Sequence, residues 1–359
     1  MKMTLVNSNT KPTIIIECST LLRGNTGIGR WIELLLSELP KNGWNVIKID
    51  RTFFGASSGI LQEYYYYNVL LPKWLKSYSA GKILFLVPDN VSKFLRAPFL
   101  NTVYFVHDLI QLSPSTGYKG LRLIIYKFKL KQLKKAKAIV TTSAVVKDEL
   151  LFLNWLEGKK IMPVAGFVGD IFLAEGTGTP PKVQLPKKFL LAVGTGEPRK
   201  NLSALLSAYE LDTDCNLPDL VLYGGNWQGI GWSNIEKEAA QKGISHRIYH
   251  AKIVNDDELV WLCENALVFV FLSNAEGFGF PPLEALTRGT PVVVSDLPVF
   301  REVLADFANY VSAADPSSVL SAIINAMKQN SIGSKAFVSK EYSAARAIQR
   351  MLCSLNKII

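Results

Sequence analysis

The hydrophobic pattern of the chain has two periods. Short runs of Val, Ile, Leu and Phe recur at Thr13 to Glu17, Val46 to Ile49, Ile83 to Val87, Thr102 to Val106 and Ala138 to Thr142. They alternate little with polar residues, which predicts strands buried on both faces of a parallel sheet. A second series follows at Phe189 to Val193, Asp219 to Tyr223, Arg247 to His250, Ala266 to Leu272 and Pro291 to Val294. Stretches of helical period lie between the runs. An amphipathic helix follows the first strand up to Leu39, and others are predicted over Leu202 to Tyr209, Asp256 to Asn265, Pro316 to Gln329 and Glu341 to Ile359. Strands alternating with helices in this way define an α/β chain of doubly wound, Rossmann-like sheets.

At 359 residues the chain exceeds one ordinary core and suits two domains of roughly 150 to 200 residues. Leu173 to Lys188 is rich in Gly, Pro and Thr and has no periodicity, so it is the expected linker. It divides a first domain, 1–172, from a second, 189–340, with a C-terminal helix over 341–359. A hydrophobic content of 48% with 19% charged residues marks a packed globular protein rather than a disordered one. The four cysteines, Cys18, Cys215, Cys263 and Cys353, form no CxxC pair, so neither a zinc site nor a disulfide framework is expected and a reducing cytoplasm fits. Met1 to Lys11 is polar, and the apolar run Ile14 to Ile16 is too short for a secretory leader; no segment reaches membrane-spanning length.

Candidate chemistry is densest from Asn274 to Val303, NAEGFGFPPLEALTRGTPVVVSDLPVFREV. Gly277 and Gly279 permit a sharp turn after the strand before it, and Pro281-Pro282 starts a helix where a missing N–H costs nothing. Phe278 lies between the two glycines. Such a unit puts backbone N–H groups and a positive helix end at the carboxyl edge of the sheet, where open α/β folds bind ligands. Glu284 is expected in the first helical turn, where a carboxylate stays ionised and accepts the two hydrogen bonds of a ribose diol or a sugar. Glu276 sits just ahead, at the mouth.

Other segments have the same strand-then-helix placement. Gly24, Gly27 and Gly29 open the first helix at spacings unlike the dinucleotide fingerprint; they predict a bare loop that lets a diphosphate or sugar approach, although a tight turn would use the same residues. Arg199 and Lys200 precede a helix that Asn201 can cap, and two cations beside a helix end suit a dianion. The order of a P-loop is missing there. His107 closes a strand at its carboxyl end, whereas His246 and His250 read as structural. Asp212-Thr213-Asp214 spells a metal-binding DxD, but it follows a helix instead of ending a strand, so a polar loop explains it and no metal is expected.

The formal charge of +10 calls for an anionic partner. Lys119 to Lys137 carries eight Lys or Arg and no acidic residue. As a helix it has one stripe of Leu123, Tyr126, Leu130 and Leu133 and a neighbouring face of Lys127, Lys131, Lys134 and Lys135, which fits a helix lying on an anionic membrane; a solvated face and, over Tyr126 to Lys131, a strand are the alternatives. The run Tyr64 to Tyr67 with Trp74 and Tyr78 has the composition of a membrane interface or of a buried aromatic cluster. No nucleic-acid-binding motif accompanies the basic segment.

The string Glu276-Gly277-Phe278-Gly279-Phe280-Pro281-Pro282-Leu283-Glu284, continued by Gly289-Thr290-Pro291-Val292 and Glu302-Val303, resembles the signature of the family 4 glycosyltransferases. Glu197-Pro198-Arg199-Lys200-Asn201 is similar to the segment with which many of these enzymes hold the nucleotide diphosphate. The resemblance implies the GT-B fold, two Rossmann-like domains facing a cleft, with the last helix crossing back onto the first domain. It implies transfer of a hexose with retention of configuration, without cofactor. Arg199 and Lys200 would stabilise the leaving diphosphate; Glu276 and His107 would orient the sugar. Glu284 would hold the ribose, with Gly277, Phe278 and Gly279 lining the donor and Gly27 and Gly29 facing the acceptor side. Together with the glycines of the first loop, these segments are most like bacterial mannosyltransferases of surface polysaccharide assembly of the O-antigen type. The expected donor is therefore GDP-mannose, with UDP-sugars and rhamnose donors open, and a non-catalytic sugar-nucleotide binder is the other class. The acceptor would be a polyprenyl-diphosphate-linked or other glycan at the cytoplasmic face of the inner membrane. Ala165 to Asp170 departs from the Asn-Gly-Val-Asp that the family often shows before its linker.

Overall fold

The computed structural model describes residues 11–23, 27–56, 59–78, 83–88, 94, 98–99, 101–113, 118–194, 196–224, 230–251, 255–329 and 333–359. The chain divides into two units, Met1–Gln111 with Tyr118–Ala165 and Ala347–Ile359, and Leu112–Gly117 with Gly166–Arg346.

The first unit holds β1 (Thr13–Glu17), β2 (Asn45–Ile49), β3 (Ile83–Val87), β4 (Thr102–Val106), β5 (Ala138–Thr141) and β6 (Ile161–Pro163), all parallel, in the order β2-β1-β3-β4-β5-β6. Every residue of β1 and β4 is buried, which is why these strands read as unbroken apolar runs. The helix Gly27–Lys41 packs Trp31 edge-on against Phe105, with ring centroids 5.1 Å apart. The tyrosine run divides: Tyr66 and Tyr67 are buried, with Tyr67 against Phe94, whereas Tyr64 and Tyr65 face solvent. Lys160 Nζ donates to Lys357 O at 2.6 Å, fastening the end of the chain to this unit.

The second unit repeats the design with β7 (Phe189–Val193), β8 (Asp219–Tyr223), β9 (Ile248–His250), β10 (Val268–Phe271), β11 (Val292–Ser295) and β12 (Ala308–Val311), in the order β12-β11-β10-β7-β8-β9. All neighbours are parallel. Strand order reverses between β7 and β10, so the chain leaves these adjacent strands toward opposite sides. That leaves a crevice at their carboxyl ends. Helices Leu202–Leu211 and Pro316–Ala326 cover one face with Leu205, Leu206, Val319 and Ile323, all at most 1% exposed.

Two expectations change. The stretch 173–188 lies within the second unit and is partly fastened to it. Arg288 Nη1 donates to Ala174 O at 3.2 Å, to Gly176 O at 3.1 Å and to Glu264 Oε1 at 3.1 Å. Gly178 N and Thr179 N donate to Glu264 and Asp257 on the helix Asp256–Asn265. A Cβ on Gly178 would lie 2.2 Å from Asp257 O, so only glycine lets the strand of chain run this close. The helix expected over 341–359 starts later, as Ala344–Asn356, and an extended Ser343 separates it from a preceding helix, Ser334–Tyr342, that was not expected. Val168 N takes the Tyr342 carbonyl at 2.8 Å, the group a continuous helix would need for its own ladder.

Among the described residues no helix is long and apolar enough to cross a membrane.

Candidate active site

The loops after β7 and β10 meet at the crevice of the second unit. After β7 the chain passes Gly194 and Gly196 into a 3-10 turn, Pro198–Lys200, and Asn201 takes a left-handed conformation, φ 51°, before Leu202–Leu211. Asn201 does not cap that helix as expected. With its backbone turned left-handed, its side chain instead meets Asn274, Nδ2 to Oδ1 3.3 Å, while Asn274 N donates to Arg199 O at 2.8 Å. These two bonds tie the loops to each other.

The tie sets Glu276 against both cations. Glu276 Oε1 accepts from Lys200 Nζ at 2.7 Å, from Arg199 Nη1 at 2.8 Å and from Ser273 Oγ at 2.8 Å. The Lys200 and Glu276 side chains are each 11% exposed and that of Arg199 is 23%. Arg199 Nε reaches the more exposed Glu197 at 2.8 Å. Lys200 Nζ also stands 4.5 Å from the centre of the Phe271 ring, whose face favours a cation. Burial pushes the Lys200 ammonium below the usual lysine value, and Glu276 works in the opposite sense. Room for the Lys200 stem comes from Gly194, where a Cβ would stand 3.2 Å from Lys200 Cγ. Two positive charges thus share one carboxylate oxygen at a sheet edge, an arrangement that can hold an added anion.

The glycines of the second loop have separate reasons. Gly279 has φ 97°, and a Cβ there would lie 2.6 Å from Phe300 Cε1. Phe278 is buried and packs against Phe280 and Tyr342; a Cβ on Gly166 would strike its ring at 2.4 Å. Its ring therefore belongs to the core of the unit and not to a ligand surface. Gly277 is buried beside it. The helix begins at Phe280, directly after the left-handed Gly279, so Glu284 is its fifth residue and falls in the second turn, not the first. Glu284 is 4% exposed and raises the pKa of Cys263 in addition to the larger effect of burial.

His107, Gly27 and Gly29 belong to the first unit, and Gly24 lies outside the described residues. Gly27 and Gly29 sit in the first turn of a helix rather than in a loop, because the helix starts at Gly27. His107 follows β4 as placed, 8% exposed, with Nε2 2.7 Å from Pro88 O and its ring stacked 4.3 Å from Phe105. Of the expected residues, Arg199, Lys200 and Glu276 are brought into direct contact. Ser273 and Asn274 were not foreseen; the available signal was a serine at a strand end three positions before the glutamate.

Asp212 of the DxD is buried and accepts from the N–H groups of Asn216 and Leu217, each at 2.9 Å, and from Arg247 at 3.2 Å, which makes it the anchor of a turn. Among the described residues no group of three or more His, Cys, Asp or Glu is placed to hold a metal ion.

Residues 180–343, nearly all of the second unit, match the family described as glycosyl transferases group 1. The second unit is therefore similar to that family, and the two sheets have the fold of the GT-B glycosyltransferases. Among curated relatives, O-antigen chain mannosyltransferase RfbU of Salmonella typhimurium is 28% identical over 233 residues, covering 63% of this chain and 60% of its own. O-antigen chain mannosyltransferase B of Escherichia coli is 31% identical over 209 residues, covering 55% and 54%. The chain thus spans less than two thirds of the length of either. Sucrose-phosphate synthase from Thermosynechococcus elongatus shares the fold, with a TM-score of 0.72 at 18% identity over 96% of this chain and 98% of that one.

Proposed function

We propose that the protein transfers a hexose, mannose from GDP-mannose, with retention of configuration onto a lipid-linked glycan in bacterial polysaccharide assembly. The observation that carries this is the pair of cations held on Glu276 Oε1 at the crevice between β7 and β10. When the anomeric C–O bond breaks, negative charge builds on the leaving diphosphate and positive character on the sugar carbon. Arg199 and Lys200 meet the first, already oriented by Glu276. Glu276, relieved of part of its ion pairing as the cations turn to the phosphates, faces the second. The acceptor hydroxyl forms the new glycosidic bond, and its proton passes to the departing phosphate on the same face.

The choice of mannose rests on the relatives named for mannosyl transfer to O-antigen chains. Glu284 would meet the ribose and His107 the sugar. The eight basic residues of 119–137 would hold the protein at the cytoplasmic face of the inner membrane, where a polyprenyl-diphosphate-linked acceptor resides. Incubation of purified protein with GDP-mannose, UDP-glucose, UDP-N-acetylglucosamine and dTDP-rhamnose, with release of nucleoside diphosphate as readout, tests the reading. Turnover of GDP-mannose above the others is expected. Preference for another donor would overturn the mannose assignment, and binding without turnover of any donor would make the protein a sugar-nucleotide sensor.

A further inference from the structure

The helix Gly120–Leu130 of the first unit carries two apolar rows, not one. Tyr126 and Leu130 are buried and Leu123 is half-buried, and with Leu133 in the following turn they hold the helix to its unit. Leu121, Ile124, Ile125 and Phe128 are instead 71%, 64%, 43% and 55% exposed. Their spacing of three, four and seven places them on one stripe, roughly opposite the buried one at about 100° per residue. The same projection sets Arg122 and Lys129 along one border of the stripe and Lys127 and Lys131 along the other. No acidic residue interrupts 119–137.

Four large side chains in one uncovered stripe are more than the scattered apolar residues of an ordinary soluble surface, so the stripe calls for a covering partner. A second copy of this chain is a poor one, because pairing the stripe with itself would bring two uninterrupted basic segments together. An anionic bilayer satisfies both features, taking apolar side chains below its phosphates and cations among them.

We propose that Leu121, Ile124, Ile125 and Phe128 insert into the acyl boundary of an anionic membrane while Arg122, Lys127, Lys129 and Lys131 reach the lipid phosphates. This deepens the peripheral placement proposed above and rests on it, replacing adsorption by charge alone with a wedge that enters the lipid. Insertion and adsorption differ in their response to salt, since screening removes the second and leaves the first.

Flotation with phosphatidylglycerol vesicles at about 0.1 M and about 1 M salt separates them. Part of the wild-type protein is expected to stay bound at the higher salt. The variant Leu121→Ser, Ile124→Ser, Ile125→Ser and Phe128→Ser should bind at low salt but lose that resistant fraction tenfold or more, with unchanged circular dichroism. In a Phe128→Trp variant, brominated acyl chains should quench fluorescence beyond that of the native tryptophans. Complete wild-type release at high salt without such quenching would overturn insertion and leave peripheral adsorption standing. Absence of binding at low salt would overturn both. A wild-type dimer that the serine variant converts to monomer, without vesicle binding, would assign the stripe to self-association and overturn the proposal.

Discussion

Lys200 Nζ lies 2.7 Å from Glu276 Oε1, and that oxygen also receives Arg199. An ion pair this deep gives back much of its Coulomb energy as lost hydration, so its value lies in position more than in stability. Lys200→Ala is expected to cost about 2.7 to 4 kcal/mol in transition-state stabilisation, the range for removal of one charge-stabilising group. Glu276→Gln should lower kcat more than it weakens donor binding. Because the two residues touch, the double variant should fall short of the sum by about 0.5 to 3 kcal/mol. Steady-state kinetics of the four proteins measures this coupling, and simple additivity would deny it.

Ser273 is fully buried and its hydroxyl fixes the same oxygen at 2.8 Å. Ser273→Ala removes one hydrogen bond, worth about 0.5 to 1.5 kcal/mol, from a group that still keeps both cations. A fall in kcat of several-fold is expected, with a loss of stability no larger than that bond. Loss of stability with unchanged kcat would make Ser273 a core residue only.

Burial holds the Lys200 ammonium below the usual 10.5. Between the lowered value and 10.5 the unfolded chain binds more protons than the folded one, so this group's penalty on stability shrinks as pH rises through that window. Activity runs the other way: kcat/KM should fall as pH rises through the lowered value, because the charge proposed to face the diphosphate is lost. Lys200→Arg keeps its charge throughout and should shift this alkaline limb upward. An identical limb in that variant would assign the titration elsewhere.

The buried Asp212–Arg247 pair predicts structural trouble, not lost metal binding. Burial pushes the Asp212 carboxyl up, but the N–H groups of Leu217 and Asn216 and then Arg247 outweigh it and hold it below the usual range. The stability this supplies is present above the ordinary carboxylate value and fades as pH falls through the lowered one. Asp212→Asn should cost about 3 to 5 kcal/mol in denaturant unfolding, as breaking a buried pair does. Exposed Asp214→Asn should be nearly silent, and neither change should alter the response to EDTA. A stable, EDTA-insensitive Asp212→Asn made from an EDTA-sensitive parent would restore a metal role.

How far the sequence could be read depended on whether a feature is local. Strands such as Thr102–Val106 are buried on both faces, and their apolar runs announce them. Arg199, Lys200 and Glu276 could each be picked out because each follows a strand end, but that they meet on one carboxylate oxygen follows only from the strand order β10-β7. What failed depended on tertiary partners or on backbone hand. Left-handed Gly279 starts its helix one residue early and moves Glu284 into the second turn. Left-handed Asn201 turns an expected cap into a contact with Asn274. Composition marked 173–188 as a free linker, but Arg288 lies more than a hundred residues away and only the fold brings it to Ala174. The Leu121, Ile124, Ile125 and Phe128 stripe was missed because periodicity gives two apolar rows and does not say which one the protein covers.

Arg199 and Lys200, oriented by Glu276, are the proposed diphosphate site. Calorimetric titration with GDP and with UDP of the wild type, Lys200→Met and the Arg199→Met, Lys200→Met double variant tests it most directly. One nucleotide should bind the wild type with an affinity that falls with salt, bind Lys200→Met at least tenfold more weakly, and be lost from the double variant. Equal affinity in all three proteins would place the nucleotide elsewhere and contradict the account.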